Sequence, residues 1–278
     1  MKKWIKLCLV ITVGLVVANS LGLKNVWINN NDYRIGVISP EGVGLVSVSD
    51  QRKMVNLLVI PKDSVVWIPF GPGKYEVNKI TKLFEIDKQL NLEKMMFVYN
   101  WGFVPNKIIT INKVEDWELS TGWWNEWGVV NWLRYRLNEG DWWYRTSVLK
   151  GAISSKNGDM VDTLSRDFAD ATTLRDNVKL AIYNDSGSDG LAGFIANILE
   201  WSGMSVVGLE NSDGQKTDGC IFNYGKEVGG TRTEDLLKKM FPDCSWVLDE
   251  KKGGNLVDLY FGEKYAQVIN YESYKTNY

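Results

Sequence analysis

The sequence predicts a mixed α/β protein, α+β in part: an N-terminal transmembrane helix, a mixed-sheet domain, and a small two-layer βαββαβ domain behind it. Three observations carry that prediction. An apolar run from Leu7 to Leu23 follows a short basic tail, and β-rich runs separated by turn residues fill 33–60. From Val178 onward, strand, turn and helix patterns alternate with chemically marked boundaries.

Lys2, Lys3 and Lys6 stand ahead of the apolar run. Basic residues are retained on the cytoplasmic side, so residues 1–6 are expected inside and the bulk of the chain outside. A run of about 17 residues is near the short limit for crossing a hydrocarbon core of ~30 Å. Ala18-Asn19-Ser20 also resembles a small-residue cleavage site, so a removed signal peptide competes with the anchor, which is the reading taken. Both readings export the protein.

Residues 32–150 are expected to form the first domain. Tyr33 to Ile38, Val43 to Val48 and Met54 to Ile60 read as strands, with turns at Pro40-Glu41-Gly42 and at 49–52. Pro61, Pro69 and Pro72 are expected to stop regular pairing. A helix over Asn78 to Gln89 follows, then strands at Met95 to Tyr99 and Lys107 to Ile111. Residues 151–177, with a short charged helix from Met160 to Ala171, read as a linker.

The second domain is expected over 178–268, with 269–278 as a tail. Val178, Leu180 and Ile182 alternate with Lys179, Ala181 and Tyr183, the period of a strand with one buried face. Asn184 to Gly187 supplies a turn, and Ser188 is placed to cap a helix whose face is Leu191, Ile195, Ile198 and Leu199. Gly203 sits where a left-handed cap is expected, ahead of a second strand. Cys220, Phe222 and Tyr224 mark a third strand, and Thr231 with Glu234 makes a capping box ahead of Leu236, Leu237 and Met240. Leu256 to Phe261 is the last strand.

Composition excludes several functions. A net charge of −2 does not suit a nucleic-acid binder, which needs a concentrated positive field. The absence of histidine removes Ser-His-Asp and Cys-His catalysis. No Cys-x-x-Cys is present, so neither a redox motif nor a zinc site is indicated. Cys220 and Cys244 are either two separate buried thiols, the reading favoured, or the disulfide of an exported domain. Of 13 tryptophans, a dense group lies between Trp101 and Trp143. Trp123, Trp124, Trp127, Trp142 and Trp143 are candidates for stacking on sugar rings; an aromatic core or seating at the membrane interface are the alternatives.

IYNDSGSDGLAGFIANILEWSGMSVVGLEN, with the later strands and helix to about residue 268, resembles the LytR C-terminal domain of bacterial cell-envelope proteins. VNLLVIPKDSVVWIP resembles a signature of the LytR-CpsA-Psr (LCP) family, through Ile60, Pro61, Lys62 and Asp63. WLRYRLNEGDWWYRTSVL resembles its second signature, through Arg134, Arg136, Gly140, Asp141 and Arg145. The family moves polyprenyl-diphosphate-linked glycopolymer onto peptidoglycan with clustered arginines and a magnesium ion on acidic side chains. The resemblance therefore implies Lys62, Arg134, Arg136 and Arg145 as diphosphate ligands and Asp63 and Asp141 as acidic candidates. Magnesium belongs to that reading alone, and no other cofactor is implied.

Departures from the family weigh against catalysis. Lys62 replaces an arginine and loses its planar fork. The Arg-Ser-Asp, Gly-Gly-Val and paired-glutamine elements are missing. The expectation is a single-pass protein of the bacterial cell membrane, mostly extracytoplasmic, that binds or organises cell-wall glycopolymer or peptidoglycan without transforming it. A phosphotransferase acting on polyprenyl diphosphate lipid is one alternative, and a protein-interaction module at the membrane surface is another.

Overall fold

The first three period-two runs pair as an antiparallel meander: β1 (Tyr33–Ser39), β2 (Gly42–Ser49) and β3 (Met54–Pro61). The computed structural model describes residues 32–40, 42–49, 54–71, 73–86, 92–110, 143–148, 163–212 and 217–275, and for 143–148 the backbone. The apolar run 7–23, residues 151–162 of the expected linker, and Trp123, Trp124, Trp127, Arg134, Arg136, Asp141 and Trp142 lie outside them. Among the described residues no helix is long and apolar enough to cross a membrane.

Beyond Pro61 the chain pairs again. β4 (Val65–Ile68) and β5 (Gly73–Glu76) form a two-stranded hairpin where the prolines were expected to prevent one. Pro69 falls in the turn between them, where no ladder N–H is required. α1 (Val77–Ile86) follows directly.

The strand expected at Met95 to Tyr99 is instead the centre of α2 (Leu92–Trp101). Its apolar run is short and continuous, a pattern shared by buried strands and buried helices. Both faces of α2 are buried, against different cores. Met96, Phe97 and Trp101 join one hydrophobic cluster, with Ile38, Leu45 and Leu58 of the first sheet. Met95, Val98 and Tyr99 join another, with Leu180, Ile198 and Phe261. A helix with apolar residues on two opposite flanks belongs between two layers.

β6 (Lys107–Thr110) and β7 (Trp143–Val148) complete a mixed sheet of order β6-β1-β2-β3-β7, with both added strands parallel to their neighbours. The described part of the expected linker is well packed. A π-helical turn at Leu164–Phe168 buries Leu164 and Phe168 in the first core, and the short α3 (Thr173–Asp176) follows.

The second sheet has the order β11-β10-β12-β8-β9. It is built from β8 (Lys179–Asp185), β9 (Ser205–Asn211), β10 (Cys220–Tyr224), β11 (Ser245–Leu248) and β12 (Leu256–Gly262). Only β10 and β12 pair antiparallel. α4 (Leu191–Trp201) and α5 (Arg232–Met240) bury their apolar residues in the core that also holds the inward side chains of β8, β10 and β12, except Trp201, which joins the first core. The capping box forms as its spacing predicts: the Thr231 side chain accepts from Glu234 N, and Glu234 Oε2 accepts from Gly230 N at 2.6 Å. Ser188 does not cap α4, which starts two residues later than expected, after Gly190 in a left-handed conformation.

β11 was missed because its four residues are too short to show a period. Cys220 and Cys244 are disulfide-bonded, not separate thiols, because the parallel pairing of β10 and β11 brings their Cα atoms to 4.9 Å. The segment read as a tail carries α6 (Glu263–Val268) onward into α7 (Tyr271–Lys275), and Ile269 and Tyr271 are buried.

The two sheets meet through aromatic and polar contacts. Trp67 of β4 lies edge-on to Phe194 of α4, and its indole N–H donates to Ser273 Oγ at 3.0 Å. The buried hydroxyls of Tyr99 and Tyr265 bond to each other across the junction. Gly102 ends α2 with φ 59°, and a Cβ there would stand 2.3 Å from Ile198 O. Only glycine permits that approach, across which Ser202 Oγ donates to Gly102 O at 2.6 Å.

Candidate functional site

Lys62 and Asp63 lie exposed on the turn that closes β3, where Ser64 N bonds Pro61 O at 3.1 Å and Asn78 N bonds Lys62 O at 3.2 Å. Arg145 lies elsewhere. In the parallel pairing of β3 with β7 its Cα stands opposite Asn56, and Trp143 opposite Met54. Lys62 lies six positions beyond Asn56, just past the end of β3, so the Lys62 and Arg145 backbones stand about 20 Å apart along the sheet. Among the described residues, no group of three or more acidic or cysteine side chains gathers to hold a metal ion.

The first sheet instead carries a row of polar residues. Arg34 of β1 stands opposite Ser47 of β2, which stands opposite Asn56 of β3, and Arg145 extends the row onto β7. Arg34, Ser47 and Asn56 are buried. An arginine in such a place must be matched, because an uncompensated buried charge costs several kcal/mol. Arg34 Nη2 donates to Phe168 O at 2.9 Å and lies 3.9 Å from Asp170 Oδ2. Asn56 Nδ2 donates to Asp167 O.

Asp170 is the centre of this arrangement. Its Oδ2 accepts from Arg232 Nε at 3.1 Å, and its Oδ1 accepts from Thr172 N at 3.0 Å and Thr173 N at 3.3 Å. Burial alone would raise its pKa. The guanidinium groups of Arg34 and Arg232, with the Thr172 amide, outweigh burial and hold it below the ordinary aspartate value. The carboxylate thus joins β1 of the first sheet to α5 over the second. Sequence reading missed these residues: Arg34 and Asp170 are single charges in unremarkable contexts, and only the fold brings them together.

A different chemistry lies on the outer face of the second sheet. Tyr183 of β8 and Tyr260 of β12 are register partners, with ring centroids 4.6 Å apart and planes 14° from parallel. Such close, near-parallel rings lie face against face and stand up from the sheet as a ridge. Tyr183 is flanked on β9 by Glu210, while Gly208 lies opposite Ala181 in the next row. The signal was present in the sequence as the polar half of the β8 alternation, and was read only as the side away from the core.

No family model and no curated protein matches the chain. Three solved chains are similar to it at low identity. The chain is similar to a crystal structure of B. subtilis TagT, at 9% identity and a TM-score of 0.27, over 87% of this chain and 89% of that one. It is also similar to a LytR-CPS2A-psr family protein, YwtF (TagT), with bound octaprenyl pyrophosphate lipid, at 12% identity and a TM-score of 0.27, over 77% and 90%. The third is TagT bound to LIIa-WTA, at 11% identity and a TM-score of 0.27, over 87% and 89%.

Proposed function

We propose that this is an extracytoplasmic protein of the bacterial envelope, held to the membrane by residues 7–23, that binds or organises cell-wall glycopolymer without transforming it. The observation that carries the non-catalytic half is the separation of Lys62 from Arg145 by about 20 Å of sheet. A diphosphate-transfer site needs its cations gathered around one leaving group. Arg34 and Arg232, for their part, are committed to Asp170.

The resemblance of residues 178–268 to the LytR C-terminal domain supports the envelope as the place of action, and the Cys220–Cys244 disulfide suits an oxidising compartment. Wall binding by the full chain tests the reading. In detergent micelles the chain is expected to sediment with purified peptidoglycan and to transfer no glycopolymer from a polyprenyl-diphosphate donor, with Lys62→Ala and Arg145→Ala leaving sedimentation unchanged. Transfer activity lost in both variants would restore the enzyme.

A further inference from the structure

The second sheet leaves one face to solvent, and that face is neither plain nor uniformly charged. Along β8 the inward residues Leu180 and Ile182 are fully buried, while Ala181 and Tyr183 are partly exposed. The outward row runs Ser245, Ile221, Tyr260, Tyr183, Glu210 across the five strands. The next row includes Asp258, Ala181 and Gly208.

Tyr260 stacks on one face of Tyr183, so the other face of Tyr183 is turned toward β9. In that row β9 sets Glu210 beside the ring, and one row along the strands the sheet is low. Gly208 has no side chain, and a Cβ built on it would meet only Ala181 Cβ, at 3.8 Å. The result is a shallow trough with an aromatic wall, a floor of Ala181 and Gly208, and the exposed Glu210 carboxylate at one end.

We propose that this trough takes the uncharged sugar rings of a glycan chain, with a C–H face of one ring against Tyr183 and its hydroxyl or amide groups bonded to Glu210. The inference rests on the reading of the chain as a glycopolymer binder, and names which part of the polymer is held. Aromatic rings bind the apolar face of a pyranose, and a carboxylate accepts two hydrogen bonds from sugar hydroxyls.

Charge selects against the alternative occupant. Glu210 and Asp258 flank the ridge, and Lys252 is ion-paired with Asp258. Partial burial first, and then Asp258 and Glu210, push the Tyr183 hydroxyl above its ordinary pKa. With Asp258 balanced by Lys252, a polyol-phosphate backbone brings like charge against the Glu210 carboxylate and is disfavoured. The two components of a wall polymer, sugar and phosphate, are therefore told apart here.

The test uses the full-length chain in detergent micelles, with a β-1,4-linked N-acetylglucosamine tetrasaccharide and poly(glycerol phosphate) as calorimetric probes, and sedimentation with purified peptidoglycan alongside. The tetrasaccharide is expected to bind and the phosphate polymer not to. Tyr183→Ala is expected to weaken tetrasaccharide binding about tenfold, the equivalent of one lost aromatic stack. Tyr183→Phe keeps the ring and should retain binding, whereas Gly208→Leu fills the trough and should abolish it. If the wild type sediments with peptidoglycan but Tyr183→Ala and Gly208→Leu bind the tetrasaccharide as it does, the trough is overturned and glycopolymer binding stands. If the wild type does not sediment at all, both fall. Binding of poly(glycerol phosphate) competitive with the sugar would overturn the charge argument.

Discussion

The two five-stranded sheets of this protein differ in how many faces they hide. In the first, all eight residues of β2 are buried, and on β3 both Val55 and Leu57 of one face and Leu58 and Ile60 of the other are withdrawn from solvent. In the second, β8 alternates from Lys179 to Tyr183 and β9 leaves Val207 54% exposed. The strand chemistry is similar, but the surroundings are not. A sheet buried on both sides becomes scaffold, and any polar residue within it, such as Arg34, must be answered from within the protein. A sheet covered on one side can face a ligand.

That contrast predicts a gradient of mutational cost. Asp170→Ala should be the most damaging change, at about 3 to 5 kcal/mol, because it removes the buried carboxylate that faces both Arg34 and Arg232. A denaturant melt followed by separate probes on each sheet should show both weakened together; loss from one alone would break the picture of a shared node. Leu45→Ala, in the doubly buried sheet, should cost about 2 to 5 kcal/mol. The equivalent truncation on the open face, Val247→Ala, should stay within about 0.5 kcal/mol. Equal costs would erase the distinction between the sheets. Reducing the Cys220–Cys244 disulfide should fall between them, at about 2 to 4 kcal/mol, read as a shift of the thermal midpoint.

Acid sharpens the comparison. The Asp170 pKa is depressed in the folded protein, first against burial and then through Arg34 and Arg232. A depressed carboxylate contributes stability that is complete above its unfolded pKa, near 4, and is lost as pH falls through the folded value. Stability should therefore be flat in this contribution from neutral pH to about 5, then decline, and Asp170→Asn should remove that part of the slope.

Much of the second sheet was legible in advance, because each boundary carries its own chemistry: the Thr231 and Glu234 box, the left-handed Gly203 at φ 91°, the alternation of Val178 to Ile182. The three opening strands were legible for the same reason. α2 was not, because periodicity identifies an element by the contrast between its two faces, and Met95 and Met96 are buried on opposite sides. The polar centre was illegible for another reason. Arg34, Asp170 and Arg232 are far apart in the chain, and no spacing rule joins them. Of the cations that local motifs suggested, Lys62 and Arg145 stand at backbone positions well apart along the sheet, and Arg134 and Arg136 lie outside the described residues.

The two-sided burial of α2 also governs the order in which the chain can mature. Residues 92–101 are synthesised long before their partners at 191–201 and 256–265, and Trp67 waits for Ser273, 206 positions later. Until then one flank of that helix, with Met95, Val98 and Tyr99, stays wet and adhesive. The amino-terminal half therefore lacks part of its packing until residues 191–201 and 256–273 have been made, and its last contacts are among the most distant in the chain.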